Sequence, residues 1–169
     1  SREKANVQKE LELLKSYLSS VKDAKVSVFT FNNEVYKIAK SVSGRVAINQ
    51  LIKSAAITEN LGSSNFPNLE SLPQADVTII FTDGNTVNTD ADIRPNGSIF
   101  FVNSALEGNH QFMQDLSYIY DGTYVNLAVE DEKEALKYLM TFEQNKLNLN
   151  NDASKKMLFS GRVLMDGMP

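Results

Sequence analysis

Val77-Thr78-Ile79-Ile80-Phe81-Thr82-Asp83-Gly84-Asn85 is the stretch that decides the fold. Its first five residues are apolar or β-branched, with no alternation of polar and apolar positions. A run this short and continuous suits a strand buried on both faces, as in a parallel sheet covered by helices. Thr82-Asp83-Gly84-Asn85 then reads as a turn, because Asp bonds its own backbone and Gly accepts positive φ. The same grammar recurs at residues 99–102, a second apolar run after a polar stretch at 83–97 that holds two Gly and one Pro.

Downstream, Gly108 or Asn109 opens a helix with Phe112, Met113, Leu116 and Ile119 expected inward. Tyr120-Asp121-Gly122 turns into a strand at 123–127. A last helix at 130–147 carries Ala135, Tyr138, Leu139 and Phe142 on one face. Upstream, Ser43 is placed to cap a helix bearing Val46, Ile48, Leu51, Ile52 and Ala55, and 58–74 reads as a loop rich in Asn, Ser, Gly and Pro. Residues 26–31 and 35–39 are hairpin strands around Asn32-Asn33. An amphipathic helix at 3–21 precedes them, with Val7, Leu11, Leu14, Leu18 and Val21 at helical spacing. The alternation predicts an α/β fold: a doubly wound, mostly parallel sheet with helices on both faces, Rossmann-like.

The 169 residues suffice for one domain with a core. The net charge is −4 and no basic block is present, so nucleic acid is not an expected partner. No apolar run approaches the roughly 20 residues of a membrane span. The absence of Cys excludes disulfides and thiolate metal sites.

Ligands in open α/β sheets bind beyond the carboxyl ends of the strands. Here those positions are Asn32-Asn33, Thr82 to Asn85 and Asn103-Ser104, with the Gly62-Ser63-Ser64-Asn65 loop able to fold over the same rim. A rim of hydroxyl, amide and carboxylate oxygens suits a hard cation such as Mg²⁺ better than Zn²⁺. Read without a family, Asp83 is a plain turn residue and Ser63, Ser64 and Asn65 are loop hydrogen-bonders. His110, the one histidine, reads as a helix-start residue with no nucleophile to serve. Tyr118, Tyr120 and Tyr124 read as core rings with wet hydroxyls, and the acids at 130–134 as complements to a helix dipole. No Gly-x-Gly-x-x-Gly follows a strand, and no Walker motif is present.

The ordered set VTIIFTDGN, LGSSN and SIFFVNS…FMQDLSYIYDGTYVNL resembles the von Willebrand factor type A family over residues 1–147, and most of all its bacterial envelope members. In that family an apolar strand ends in Thr/Ser-Asp-Gly, a Gly-Gly-Thr-Asn loop lies beside it, and a first strand ends in Asp-x-Ser-x-Ser. The resemblance implies a protein-binding module rather than an enzyme. Ser1, Ser64 and Asp83 would be the metal ligands, and Asn65 and Asn85 a partner-binding rim. A partner carboxylate would complete the Mg²⁺ shell. It also implies a parent protein in the cell envelope, periplasmic or surface-exposed.

This chain opens on a helix, so the family's first strand and its Asp are missing, and weak or no Mg²⁺ binding is expected. The tail FSGRVLMDGMP resembles the opening of a carboxypeptidase-regulatory-like β-sandwich. The division is therefore 1–150 as the incomplete α/β domain and 151–169 as a linker with the start of a β domain. The rival readings are a degenerate, metal-free structural or assembly domain and, ranked below it, a hydrolase-like site around Asp83. The missing strand is central in the family and would leave two rows of buried backbone groups unpaired. Residues 157–165 are the spare strand-like segment. They are expected to enter the sheet, from their own chain or from a swapped neighbour, the latter giving a homodimer.

Overall fold

The computed structural model describes residues 6–21, 23–31, 35–57, 64–65, 74–88, 97–150 and 160–166; for 55–57, 64–65, 86–88, 142–150 and 160–166 it describes the backbone path. The elements run α1 (Val7–Ser20), β1 (Lys25–Phe31), β2 (Val35–Val42), α2 (Gly44–Ile57), β3 (Ser64–Asn65), β4 (Val77–Phe81), β5 (Thr86–Asn88), β6 (Ser98–Asn103), α3 (His110–Ile119), β7 (Thr123–Asn126), α4 (Glu132–Asn150) and β8 (Ser160–Asp166).

Six strands form one sheet in the order β2-β1-β8-β4-β6-β7, and β3 and β5 form a small parallel pair. Every pairing of the large sheet is parallel except the β1–β2 hairpin. The expected α/β architecture is therefore present. Strand alternation sorts the buried side chains into two cores. Val26, Val28, Val77, Ile79, Phe81, Phe100, Val102 and Val125 pack under α1, α2 and α4. Phe29, Phe31, Ile80, Ile99 and Phe101 pack under α3 through Met113 and Leu116. All residues of β4 and β6 are buried, as their unbroken apolar sequence requires.

The helices start where their caps dictate. Asn6 accepts the Lys9 N–H at 3.1 Å, Ser43 the Val46 N–H at 3.3 Å, and Asn109 the Phe112 N–H at 3.2 Å. Asp131 accepts from the N–H groups of Lys133 and Glu134, so α4 begins at Glu132 and places Glu132 and Glu134 in its first turn. The hairpin carries a bulge: Ser41 sits at φ 51°, and its N–H donates to Ser27 Oγ at 3.0 Å. Gly97 enters β6 so close to β4 that a Cβ there would collide with the Asp76 carbonyl oxygen.

Two expected core residues lie outside instead. Ile119 is 68 % exposed and Tyr138 is 57 % exposed. A helix advances about 100° per residue. The inward stripe of α3 is Met113, Leu116 and Ser117, and that of α4 is Ala135 and Leu139. Ile119 and Tyr138 fall off the flank of those stripes. Phe142 lies outside the described side chains, as do residues 1–5 at the start of the expected first helix.

The central position is held by β8. It runs parallel to β1 over seven residue pairs, Lys25 with Ser160 through Phe31 with Asp166, and parallel to β4 over five, Val77 with Gly161 through Phe81 with Met165. The tail thus enters the sheet of its own chain between β1 and β4, the position expected to stand empty.

Candidate functional site

Strand order builds outward from the centre, from β1 to β2 on one side and from β4 to β6 to β7 on the other. The carboxyl ends of the central strands are therefore where an open α/β sheet of this order binds its ligands. Asp83 lies there, 4 % exposed. Its turn is closely bonded. The Thr82 N–H donates to the Val102 carbonyl at 3.0 Å, the Gly84 N–H to Thr82 Oγ1 at 3.0 Å, and the Asn85 N–H to Asp83 Oδ1 at 3.0 Å. The Asp83 carbonyl accepts the Asn109 N–H at 2.6 Å, fixing the turn to the start of α3. Gly84 has φ +75°, and a Cβ there would approach the Asn109 carbonyl oxygen to 2.9 Å, so only glycine fits without strain.

Immediately beyond this turn, β5 pairs with β3: Ser64 lies opposite Thr86 and Asn65 opposite Asn88. The Ser64–Asn65 segment is thereby joined to the strand that follows the Asp83–Asn85 turn, with Ser64 level with the residue three positions past Asp83, although Asn65 and Asp83 are 18 positions apart in sequence. On the other side of β4, β8 ends at Asp166, one position beyond the Met165–Phe81 pair and therefore level with Thr82. Ser1 lies outside the described residues. Among the described residues no three His, Cys, Asp or Glu side chains converge as a metal site would require.

The rim also holds a polar network that the sequence did not announce. Ser104 Oγ donates to Glu10 Oε1 at 2.8 Å and accepts the Asn6 N–H at 2.7 Å, joining the first turn of α1 to the end of β6. Lys9 Nζ donates to the carbonyls of Leu127 and Glu130. His110 is half-buried, with Nδ1 facing the Tyr124 hydroxyl and Nε2 2.9 Å from the Leu106 carbonyl. A carbonyl only accepts, so Nε2 carries a proton, and in the neutral ring Nδ1 then accepts the Tyr124 O–H. Asn126 Nδ2 lies 3.4 Å from the same Nδ1. Asn103 Nδ2 donates to the Ala105 carbonyl at 2.7 Å and reaches Tyr124 Oη at 3.5 Å. Burial holds the Tyr124 phenol above the ordinary tyrosine value, opposed by the Asn103 hydrogen bond and reinforced by the charge of Glu130. The available signal was the position of Asn103 and Ser104 just past a strand; nothing in the sequence paired His110 with Tyr124.

No family model matches the chain, and no curated protein does. The chain is similar to a solved structure, an aerotolerance-related membrane protein from Bacteroides fragilis NCTC 9343 with multiple mutations to serines. It superposes with a TM-score of 0.60 and 12 % identity, over 83 % of this chain and 89 % of that one. The likeness is one of fold. Among the described residues of this chain, no helix is long and apolar enough to cross a membrane.

Proposed function

We propose that the domain is a protein-binding module of von Willebrand factor A type, acting in the bacterial cell envelope through the carboxyl rim of its sheet. The observation that supports this reading is the β3–β5 pairing, which joins the segment of Ser64 and Asn65 to the strand directly after the turn of Asp83 and Asn85. The likeness in fold to a membrane protein of Bacteroides supports the envelope assignment. The donor chemistry fits a hard cation: a carboxylate, hydroxyls and amide oxygens, without sulfur or imidazole at the turn. Asp83 and Ser64 would hold Mg²⁺, joined by Ser1, and Asp166, whose backbone position is level with Thr82, would add a second carboxylate. Bound there, the cation would offer an open coordination position to a carboxylate of the partner. Asn65 and Asn85 would flank that contact.

A second reading is a metal-free assembly domain, favoured by the fact that Asp83 Oδ1 and Thr82 Oγ1 already accept backbone N–H groups. Mn²⁺ binding, followed by water-proton relaxation, separates the two. The first reading expects weak binding, with Kd on the order of 10⁻³ M for so few charged ligands. It also expects that binding to be lost in Asp83→Asn and reduced in Asp166→Asn. Binding unchanged in both variants, or none in the parent chain, leaves the assembly domain.

A further inference from the structure

β8 is poorly matched to the position it holds. Its neighbour β4 reads Val-Thr-Ile-Ile-Phe, and next to that β6 reads Ser-Ile-Phe-Phe-Val-Asn, every residue buried. A central parallel strand covered on both faces is normally a continuous apolar run. β8 reads Ser-Gly-Arg-Val-Leu-Met-Asp. Gly161 stands level with Val26 and Val77, and Arg162 with Ser27 and Thr78, in the middle of the sheet. Glycine within a strand gives up more chain entropy than other residues and contributes no packing. Arg162 likewise interrupts the apolar run that such a strand position calls for. β8 also follows every other strand in sequence, so it can withdraw without breaking a connection between any two of them. Its withdrawal would leave β1 and β4 facing each other with unpaired backbone edges, about two strand spacings apart, or roughly 9–10 Å. That gap accepts one strand, and the edge groups strongly favour its being filled.

We propose that the gap between β1 and β4 is a strand-binding site, in which β8 is a displaceable resident. The ligand is an extended segment of another protein, about seven residues long. It lies parallel to β1 and β4 and is apolar or β-branched at the positions level with Gly161 and Arg162. Main-chain bonds to both edges give affinity, and the two buried faces select apolar side chains. Because β8 ends level with Thr82, an incoming strand would also deliver its last residue beside the Asp83 turn.

The test uses the full chain and a fluorescein-labelled peptide of residues 157–166 carrying Gly161→Val and Arg162→Val. The expected result is one-to-one uptake by anisotropy. Hydrogen exchange should then show loss of protection at 160–166 of the protein, with Lys25–Phe31 and Val77–Phe81 still protected. The same two substitutions made within the protein should weaken peptide uptake by about tenfold or more, because the resident strand then competes equally. Absence of uptake overturns the proposal. So does uptake that leaves the protein's own 160–166 protected, a readout that does not depend on the variant folding. A concentration-dependent dimer without peptide uptake also overturns it and assigns the gap to β8 of a second copy.

Discussion

β4 and β8 are neighbours at the centre of one sheet, parallel and in register, yet their sequences have little in common. β4 could hardly lie anywhere but in an interior. β8, with Gly161, Arg162 and Asp166, would pass for an edge or a connector. The difference teaches that burial in a sheet has two separable causes. β4 is interior because of its side chains, which lose about 25 cal/mol of free energy per Å² of apolar surface removed from water. β8 is interior because β1 and β4 would otherwise present unpaired backbone to each other.

Five substitutions test that contrast. The largest effect is expected at Ile80, fully buried in β4: Ile80→Ala should cost about 2–5 kcal/mol in urea unfolding. Arg162→Val, two residue pairs away along the β4–β8 ladder, should cost nothing or stabilise. A comparable loss at both positions would erase the distinction between the strands.

Gly84→Ala comes next. It forces a side chain into φ +75° against the Asn109 carbonyl and should cost about 1–3 kcal/mol, so that β4 loses its fixed carboxyl end while the β8 pairing survives. Circular dichroism melts and hydrogen exchange at 160–166 would show both halves of that outcome.

Tyr124→Phe removes the hydroxyl that His110 accepts, at a cost of about 0.5–1.5 kcal/mol. It bears on the far side of β4, where polar groups rather than a strand swap hold the rim. The phenol is raised in the fold, so its contribution is complete below the unfolded tyrosine value near pH 10 and is lost as pH climbs through the folded one. The parent chain should therefore destabilise more steeply than the Phe variant above about pH 10.

The smallest effect lies on α4, the helix that leads to β8. Desolvation, then the hydrogen bond and charge of Glu12, hold the Glu132 carboxyl above its ordinary value. The Gln8 amide, then Glu132, hold Glu12 below its own. Glu132 thus contributes stability when protonated and loses it as pH rises through its folded value. Glu132→Gln should raise the melting temperature slightly at neutral pH, and the gain should vanish in acid, where the raised Glu132 carboxyl is itself protonated.

Legibility in the sequence followed the same division. The strands at 77–81 and 99–102, the caps Ser43 and Asn109 and the α/β alternation were readable, because each rests on local side-chain chemistry. The entry of the tail into the sheet was readable from two facts together, the demand of unpaired backbone and the strand-like run at 157–165 that could meet it. Ile119 and Tyr138 were misplaced because an apolar residue four or fewer positions along a helix need not share its stripe. Of the rim, Asp83, Ser64, Asn65 and Asn85 were legible as oxygen donors. The His110–Tyr124 and Glu10–Ser104 contacts were not, since they join residues 14 and 94 positions apart with no periodic signal between them.

The pairing of Lys25 with Ser160 also sets a tempo. A strand at 25–31 must wait for a partner 135 residues later in the chain, and loop closure over such a distance precedes any gain from the contact. During synthesis at about 5–20 residues per second, β1 would be exposed for roughly 7–27 seconds with its inner edge open. The hairpin with β2 covers only its outer edge. The interval is a window for aggregation, or for capture by a chaperone, that a sheet completed in sequence order would not have.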